Sequence, residues 1–319
     1  MSRLAALLPA GKLSAGKLHE WAAGRAARGQ ILFTGTRRRM TSVTVRGDQM
    51  AAEMDGVCLR SRFLTDESVK ASPAVVWIVE ADLDRVARYK SWSPQFLDVV
   101  NPAYEQDRGR FAPQYRAFRY LILNTASSLS YMGQEPADGW RSWVIPHHHC
   151  NQTGWQLPEE RIERPKVVGY IGEPVHLHDH DAIRDTVESL GMELRCFGAS
   201  ELDAYRQFDL GIAWTRRDPQ RDDTRSNIKL TNFAAHGIPS VVCDYESYRD
   251  VDRALGGVCL IRPSLNGFLE GVRILATDSE LRRSLAAKGP LAAERYSRKA
   301  VADQYRGAIR DARGESPFK

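Results

Sequence analysis

The sequence predicts an α/β protein of two doubly wound lobes facing a central cleft. Three observations predict it. From residue 31 onward short apolar runs alternate with longer amphipathic stretches, the signature of βαβ units and a mostly parallel sheet. A polar stretch at 151–165, containing Pro158 and Pro165 and lacking any sustained period, interrupts that alternation near the middle. The chain of 319 residues also exceeds what one hydrophobic core usually serves.

The elements follow in order. In the first half the apolar runs 31–35, 56–60, 74–79, 96–100 and 142–146 read as strands, with helices over 46–54, 82–90 and 113–132. The last of these helices carries Tyr115, Phe118, Leu121 and Ile122 at helical spacing, so one of its faces is expected to bury. After the 151–165 linker, strands are expected at 166–171, 193–197, 210–214, 240–243 and 257–261. Helices near 181–190, 201–208, 229–236 and 245–250 separate them. Beyond Pro263 the chain reads as helical to Asp311, with a break near Gly289 and Pro290. The division is therefore an N-terminal helical segment at 1–29, a first domain at 30–150, a second at 151–290, and a C-terminal helix at 291–319.

Composition narrows the class. Hydrophobic residues at 43% and charged residues at 27% are ordinary globular usage and exclude intrinsic disorder. The net charge of +5 is spread through the chain without a basic stripe, which argues against nucleic acid as a partner. No apolar run approaches the roughly 18 to 20 residues that cross a bilayer. The apolar stretch at 4–8 is too short for a secretory signal, so a cytoplasmic location is expected. Arg3, Lys12, Lys17, Arg25 and Arg28 leave peripheral association with the inner face of a membrane open, against the plainer reading of a solvated helix face. Five widely spaced cysteines read as reduced core residues.

Ligands of open α/β sheets bind at the carboxyl ends of the strands, so the residues after each apolar run carry the information. In the second half these are Gly172 and Glu173, then Gly198 to Ser200, then Thr215, Arg216 and Arg217, leading into Asp222, Asp223, Thr224, Arg225, Ser226 and Asn227. There Lys229 and Leu230 open a helix whose first turn offers free N–H groups. Lys229 adds a point charge, and Gly237 and Pro239 stop the helix before a buried strand. A helix N-terminus beside a lysine suits a diphosphate.

The stretch 232–242, Asn-Phe-Ala-Ala-His-Gly-Ile-Pro-Ser-Val-Val, resembles the nucleotide-sugar half of GT-B glycosyltransferases, in particular the bacterial retaining-type group. That group shows a Glu, seven residues, a second Glu, then Ala-x-Ala-x-Gly-x-Pro-x-Val. Thr224 and Asn232 stand where the two acids would be, and the resemblance assigns those acids to sugar or ribose hydroxyls of the donor. Weaker likeness extends to 41–50, similar to the acceptor-side loop and helix, and to 294–297 with the following helix, similar to the closing helix that returns toward the first domain.

The resemblance implies two Rossmann-like domains and a nucleotide-diphosphate sugar as donor. It also implies a glycan, lipid-linked or small-molecule acceptor, a setting in cell-surface polysaccharide biosynthesis, and no catalytic metal or cofactor beyond the donor as substrate. The strand ends and the resemblance together give as candidate donor contacts Gly172, Glu173, Arg216, Arg217, Thr224, Arg225, Ser226, Asn227, Lys229, Leu230 and Asn232.

On the acceptor side, Glu80 and Asp82 follow the 74–79 strand. Glu80 is the candidate base for an acceptor hydroxyl, whereas Asp82 sits where a helix N-cap would. The run His147, His148, His149 ends the last strand of the first half at the domain junction. Since side chains alternate on extended chain, at most two share a site, with His148 the catalytic candidate. His176, His178 and His180, alternating with Asp179 and Asp181, read as loop polarity or donor contacts. Two other functions fit the same pattern: an epimerase or polyol-phosphate transferase of similar shape, and a catalytically silent sugar-nucleotide-binding protein.

Overall fold

The computed structural model describes residues 29–35, 43–79, 81–99, 116–128, 140–216 and 225–314. Its first half is a six-stranded parallel sheet of β1 (Leu32–Gly35), β2 (Val57–Arg60), β3 (Val75–Ile78), β4 (Gln95–Val99), β5 (Tyr120–Leu123) and β6 (Arg141–Val144), in the order β2-β1-β3-β4-β5-β6. A π-helical turn, Val43–Asp48, leads into α1 (Gln49–Glu53), and α2 (Asp66–Ala71) and α3 (Leu83–Tyr89) follow β2 and β3.

Both faces of this sheet are buried, as parallel sheets require. On one face Phe33, Val76, Ile78, Phe96 and Ile122 pack with Met50 of α1. On the other Leu32, Val75, Trp77, Leu97, Leu121 and Leu123 pack with Val69 of α2 and Val86 of α3.

The second half repeats the plan with β7 (Val167–Ile171), β8 (Glu193–Phe197), β9 (Leu210–Ala213), β10 (Ser240–Cys243) and β11 (Leu260–Arg262), parallel and ordered β11-β10-β9-β7-β8. Its helices are α4 (Glu159–Glu163), α5 (His180–Ser189), α6 (Ile228–Ala235), α7 (Glu246–Leu255), α8 (Leu265–Thr277) and α9 (Ser279–Ala293). The last helix, α10 (Arg298–Ala312), leaves this lobe. Its Val301, Ala302, Tyr305, Ala308 and Ile309 join the core on the α1 face of the first sheet.

Two local expectations are corrected. Within 113–132, Tyr120–Leu123 is a strand, not a helix, hydrogen-bonded between β4 and β6; Leu121, Ile122 and Leu123 bury on both of its faces, which outweighs their fortuitous helical spacing. The C-terminal helices break at Asp278 and Ser297, not at Gly289 and Pro290. The side chain of Asp278 accepts from the Leu281 amide at 2.8 Å and that of Ser297 from the Ala300 amide at 3.2 Å, so capping residues set the ends. Gly289 serves close packing instead: a Cβ there would meet the Ala234 carbonyl oxygen of α6 at 2.5 Å. The 151–165 stretch between the two sheets is packed and holds α4. The amide of Leu157 donates to the His236 carbonyl at 3.0 Å, and Leu157 and Ile162 bury against Ala286 of α9.

Candidate functional site

In both sheets the strand order reverses between the first and third strands, β1/β3 and β7/β9, and ligands of such sheets lie outside the carboxyl ends at that point. In the second lobe β7 runs out into Gly172 and Glu173, and β9 into Trp214, Thr215 and Arg216. Gly172 has φ of +153°, which L side chains rarely adopt. A Cβ on it would stand 2.7 Å from the Tyr170 hydroxyl and 3.0 Å from Lys229 Nζ. The glycine therefore lets the chain pass directly beneath the first turn of α6.

Lys229 Nζ lies 3.9 Å from the centre of the Tyr170 ring, and among the described residues no carboxylate pairs with it. The residue keeps some exposed surface, yet its ammonium is screened from water. That desolvation, with the nearby Arg225 charge, pulls its pKa down to about 7 against the opposing pull of Cys243 and Cys196. A cation that no described carboxylate neutralises, at the N-terminus of an eight-residue helix, is suited to an anion arriving from outside. Arg225 lies with its guanidinium carbon 5.5 Å from the Tyr245 ring, and the Tyr245 hydroxyl is hydrogen-bonded to that of Thr215.

The other residues singled out in the second lobe divide by what their side chains touch. Arg216 is exposed and bound to Asp179, its Nη2 2.7 Å from the carboxylate, while its amide donates to His178 Nδ1 at 2.9 Å. Asp179, held below the usual carboxylate range by the Arg216 hydrogen bond, also accepts from Trp214 Nε1 at 3.0 Å. Glu173 is exposed, Ser226 is half-buried, and Leu230 sits wholly in the hydrophobic core, leaving only its backbone for a ligand.

Asn227 and Asn232 turn inward. Asn227 precedes α6 without capping it; its Oδ1 accepts from the His147 amide at 3.0 Å and its Nδ2 donates to the His147 carbonyl at 3.2 Å. Asn232 accepts from the Cys150 amide at 2.8 Å and donates to the Ile228 carbonyl at 2.8 Å. Glu80, Arg217 and Thr224 lie outside the described residues.

On the first-lobe side, Val79 at the end of β3 has φ of +67°, a strained conformation for a β-branched residue. Asp82 caps α3, accepting from the Arg85 amide at 3.2 Å. All three histidines at 147–149 are buried. His148 Nε2 is 2.7 Å from Gln49 Oε1 of α1, and its Nδ1 has no hydrogen-bond partner among the described residues. Burial, reinforced by Arg298 and Arg46, drives the His148 pKa down to about 3; burial and Arg298 bring His149 to about 4.

Deeper still, Arg46 donates through Nε to Asp98 at 2.8 Å and through Nη1 to the Ile145 carbonyl at 2.9 Å, and the Tyr305 hydroxyl donates to the same Asp98 oxygen. This group ties α10 to the ends of β4 and β6. The Tyr170 and Tyr245 rings carry no motif in the sequence, whereas Asp179 and Gln49 fall in stretches the sequence singles out, 176–181 and 41–50. Only the aromatic at 170, two residues before Gly172, could have been read as wall of the same turn.

Among the described residues no group of three His, Cys, Asp or Glu side chains converges as a metal set, and no helix is long and apolar enough to cross a membrane. A groove of about 550 Å³ lined by Arg161, Arg164, Lys166 and Arg195 together with Glu160 and Asp209 opens at the amino ends of the second sheet, away from the switch point.

No family model and no curated protein sequence matches the chain. Solved structures do match. A glycosyltransferase from Rickettsia africae ESF-5 aligns with a TM-score of 0.61 at 7% identity, over 90% of this chain and 100% of that one. Anabaena HepE, solved in complex with UDP-glucose, aligns at 0.58 and 10% identity over 90% of this chain and 100% of its own. TarM aligns at 0.52 and 12% identity over 75% of this chain, which spans only 55% of TarM. The likeness at these identities is one of fold: two facing α/β lobes of the GT-B type.

Proposed function

We propose that this chain is a glycosyltransferase that moves a sugar from a nucleotide-diphosphate donor to a glycan, lipid-linked or small-molecule acceptor. Its GT-B fold is one that glycosyltransferases use, but fold alone does not settle chemistry. The observation that carries the reading is Lys229, a desolvated ammonium that no carboxylate among the described residues pairs with, placed over Tyr170 where α6 begins and the β7 turn passes beneath.

When a glycosyl–phosphate bond breaks, negative charge develops on the departing diphosphate. Lys229, Arg225 and the uncapped amides of α6 are the groups that would take it up, and no covalent nucleophile is required. His148, neutral across physiological pH, acts in this reading as a hydrogen-bonding group toward sugar or acceptor, while Glu80 remains the candidate base. A place in cell-surface polysaccharide synthesis at the inner face of a membrane is part of the same proposal.

One observation favours a second reading. Asn232, where the resembling enzymes carry an acid, is spent inside the fold, as in a protein that binds the donor without turning it over. A thermal-shift panel of UDP, GDP, CMP, ADP and dTDP sugars followed by a donor-turnover assay separates the cases. A ligand at about 100 times its Kd adds about 2.7 kcal/mol of stability, which raises the midpoint visibly. Binding with turnover is expected. Binding without turnover selects the silent protein, and no shift with any sugar nucleotide sinks both.

A further inference from the structure

His148 lies in a four-residue stretch that the donor helix holds by both ends. At one end Asn227 grips the His147 backbone twice, through its amide at 3.0 Å and its carbonyl at 3.2 Å. At the other end Asn232 accepts from the Cys150 amide at 2.8 Å. Both asparagines are almost completely buried, and both grips span some 80 residues of sequence. Between them the stretch is fastened to α1 by His148 Nε2 on Gln49, and the His149 amide donates to the Tyr296 carbonyl.

Two features separate this from ordinary packing. Asn227 occupies the N-cap position, where an asparagine usually accepts from the first-turn amides of its own helix, yet it makes no such bond. Its capping capacity is given to the other lobe, and the α6 amides beside Lys229 are left for a ligand. Asn232 meanwhile anchors itself to α6 through the Ile228 carbonyl at 2.8 Å, directly before Lys229. The two grips thus bracket the first turn of the helix on one side and His148 on the other.

We infer that Asn227 and Asn232 are positioning residues that couple the donor site at the start of α6 to the 147–150 stretch, setting where His148 stands relative to the donor diphosphate. The inference rests on the donor-site reading of α6 above. Because buried amides that lose their acceptors are costly, the grips are strong enough to carry a small shift of α6 across to the histidine. The Cys150 thiol adds a bond to the same Asn232 side chain, and the next contact with α6 comes at residue 151, where Asn151 Nδ2 donates to the Ala235 carbonyl at 2.7 Å.

The test is amide exchange by mass spectrometry on peptides covering 145–151 and 226–236, with and without the nucleoside diphosphate UDP or, if UDP does not bind, the panel ligand that does. In the parent protein the nucleotide is expected to slow exchange at both peptides. In Asn227→Ala and Asn232→Ala it slows only the α6 peptide, and exchange at 145–151 is about tenfold faster without ligand. The parent protein with and without nucleotide needs no substitution, and its exchange at 145–151 decides the coupling if the alanine variants fail to fold.

Turnover of the panel donor should fall about tenfold in the alanine variants with nucleotide Kd within about twofold. Nucleotide binding that leaves 145–151 unchanged in the parent overturns the coupling while the donor site stands. If no nucleotide binds, the donor reading fails, and alanine variants with parental exchange at 145–151 overturn the grips independently.

Discussion

At the scale of single residues, the proposed donor site turns on Lys229. Lys229→Ala should weaken nucleotide-diphosphate binding by about 1.5 to 3 kcal/mol, the worth of a hydrogen bond to a charged group, with the fold intact by circular dichroism. Its pKa near 7 adds a pH signature. A bound diphosphate favours the charged ammonium, so above about pH 7 binding must take up a proton. Affinity measured by calorimetry is expected to be level below pH 7 and to fall as pH rises beyond it, and the fall should be absent in Lys229→Ala. Unchanged affinity in the variant would pass the role to Arg216, Arg217 or Arg225. Asn232 makes the complementary case. Asn232→Glu, which restores the acid of the resembling group, puts an unpaired charge where two backbone groups are now satisfied. It should cost about 3 kcal/mol or more in urea unfolding and bring no gain in nucleotide affinity.

Among elements, α10 is fastened to the first sheet by a buried charge rather than by apolar packing alone. Asp98 is fully buried and receives both Arg46 and Tyr305. Removing the carboxylate leaves the Arg46 guanidinium buried and uncompensated, so Asp98→Ala should cost about 3 to 5 kcal/mol in urea unfolding. Tyr305→Phe, which removes one hydrogen bond to a charged group, should cost about 1.5 to 3 kcal/mol. A near-neutral Asp98→Ala would mean that water reaches the pair. The contact of α9 with α6 offers a second check. Gly289→Ala forces a Cβ against the Ala234 backbone and is expected to cost about 1 to 3 kcal/mol, because overpacking is paid in shifted backbone.

For the whole molecule, the junction between the lobes is a store of neutral histidines. His147 lies well below its usual pKa, His148 at about 3, and His149 and His236 at about 4, each through burial. In the unfolded chain each would bind a proton near pH 6.5, so below that pH the unfolded state holds more protons than the native one. Their contribution to stability is complete above about pH 6.5 and is lost as pH falls toward 4. Thermal midpoints between pH 7 and 4 should drop accordingly, and His236→Gln should flatten part of the slope. Lys229 acts with the same sign in a higher window: its folded pKa lies below 10.5, so stability rises with pH from about 7 upward.

What the sequence determined by itself is the alternation. Runs such as Val75–Ile78 and Ser240–Cys243 are short, apolar and bounded, and burial on both faces of a parallel sheet demands that composition wherever the strand sits in the fold. The helix that begins beside Lys229 was legible for the same local reason, with Gly237 and Pro239 to end it. Tertiary structure alone decided the rest. Leu121 to Leu123 satisfied two periods at once, and only pairing with β4 and β6 chose the strand. Gly289 carried the residue type of a helix break and became the point where α9 meets α6. Asn227 and Asn232 had the chemistry of ligand contacts, and His147 and Cys150, about 80 residues away, claimed their side chains. Periodicity records that a residue is buried. It does not record by what, and desolvation, pairing and hydrogen-bond satisfaction all depend on that partner.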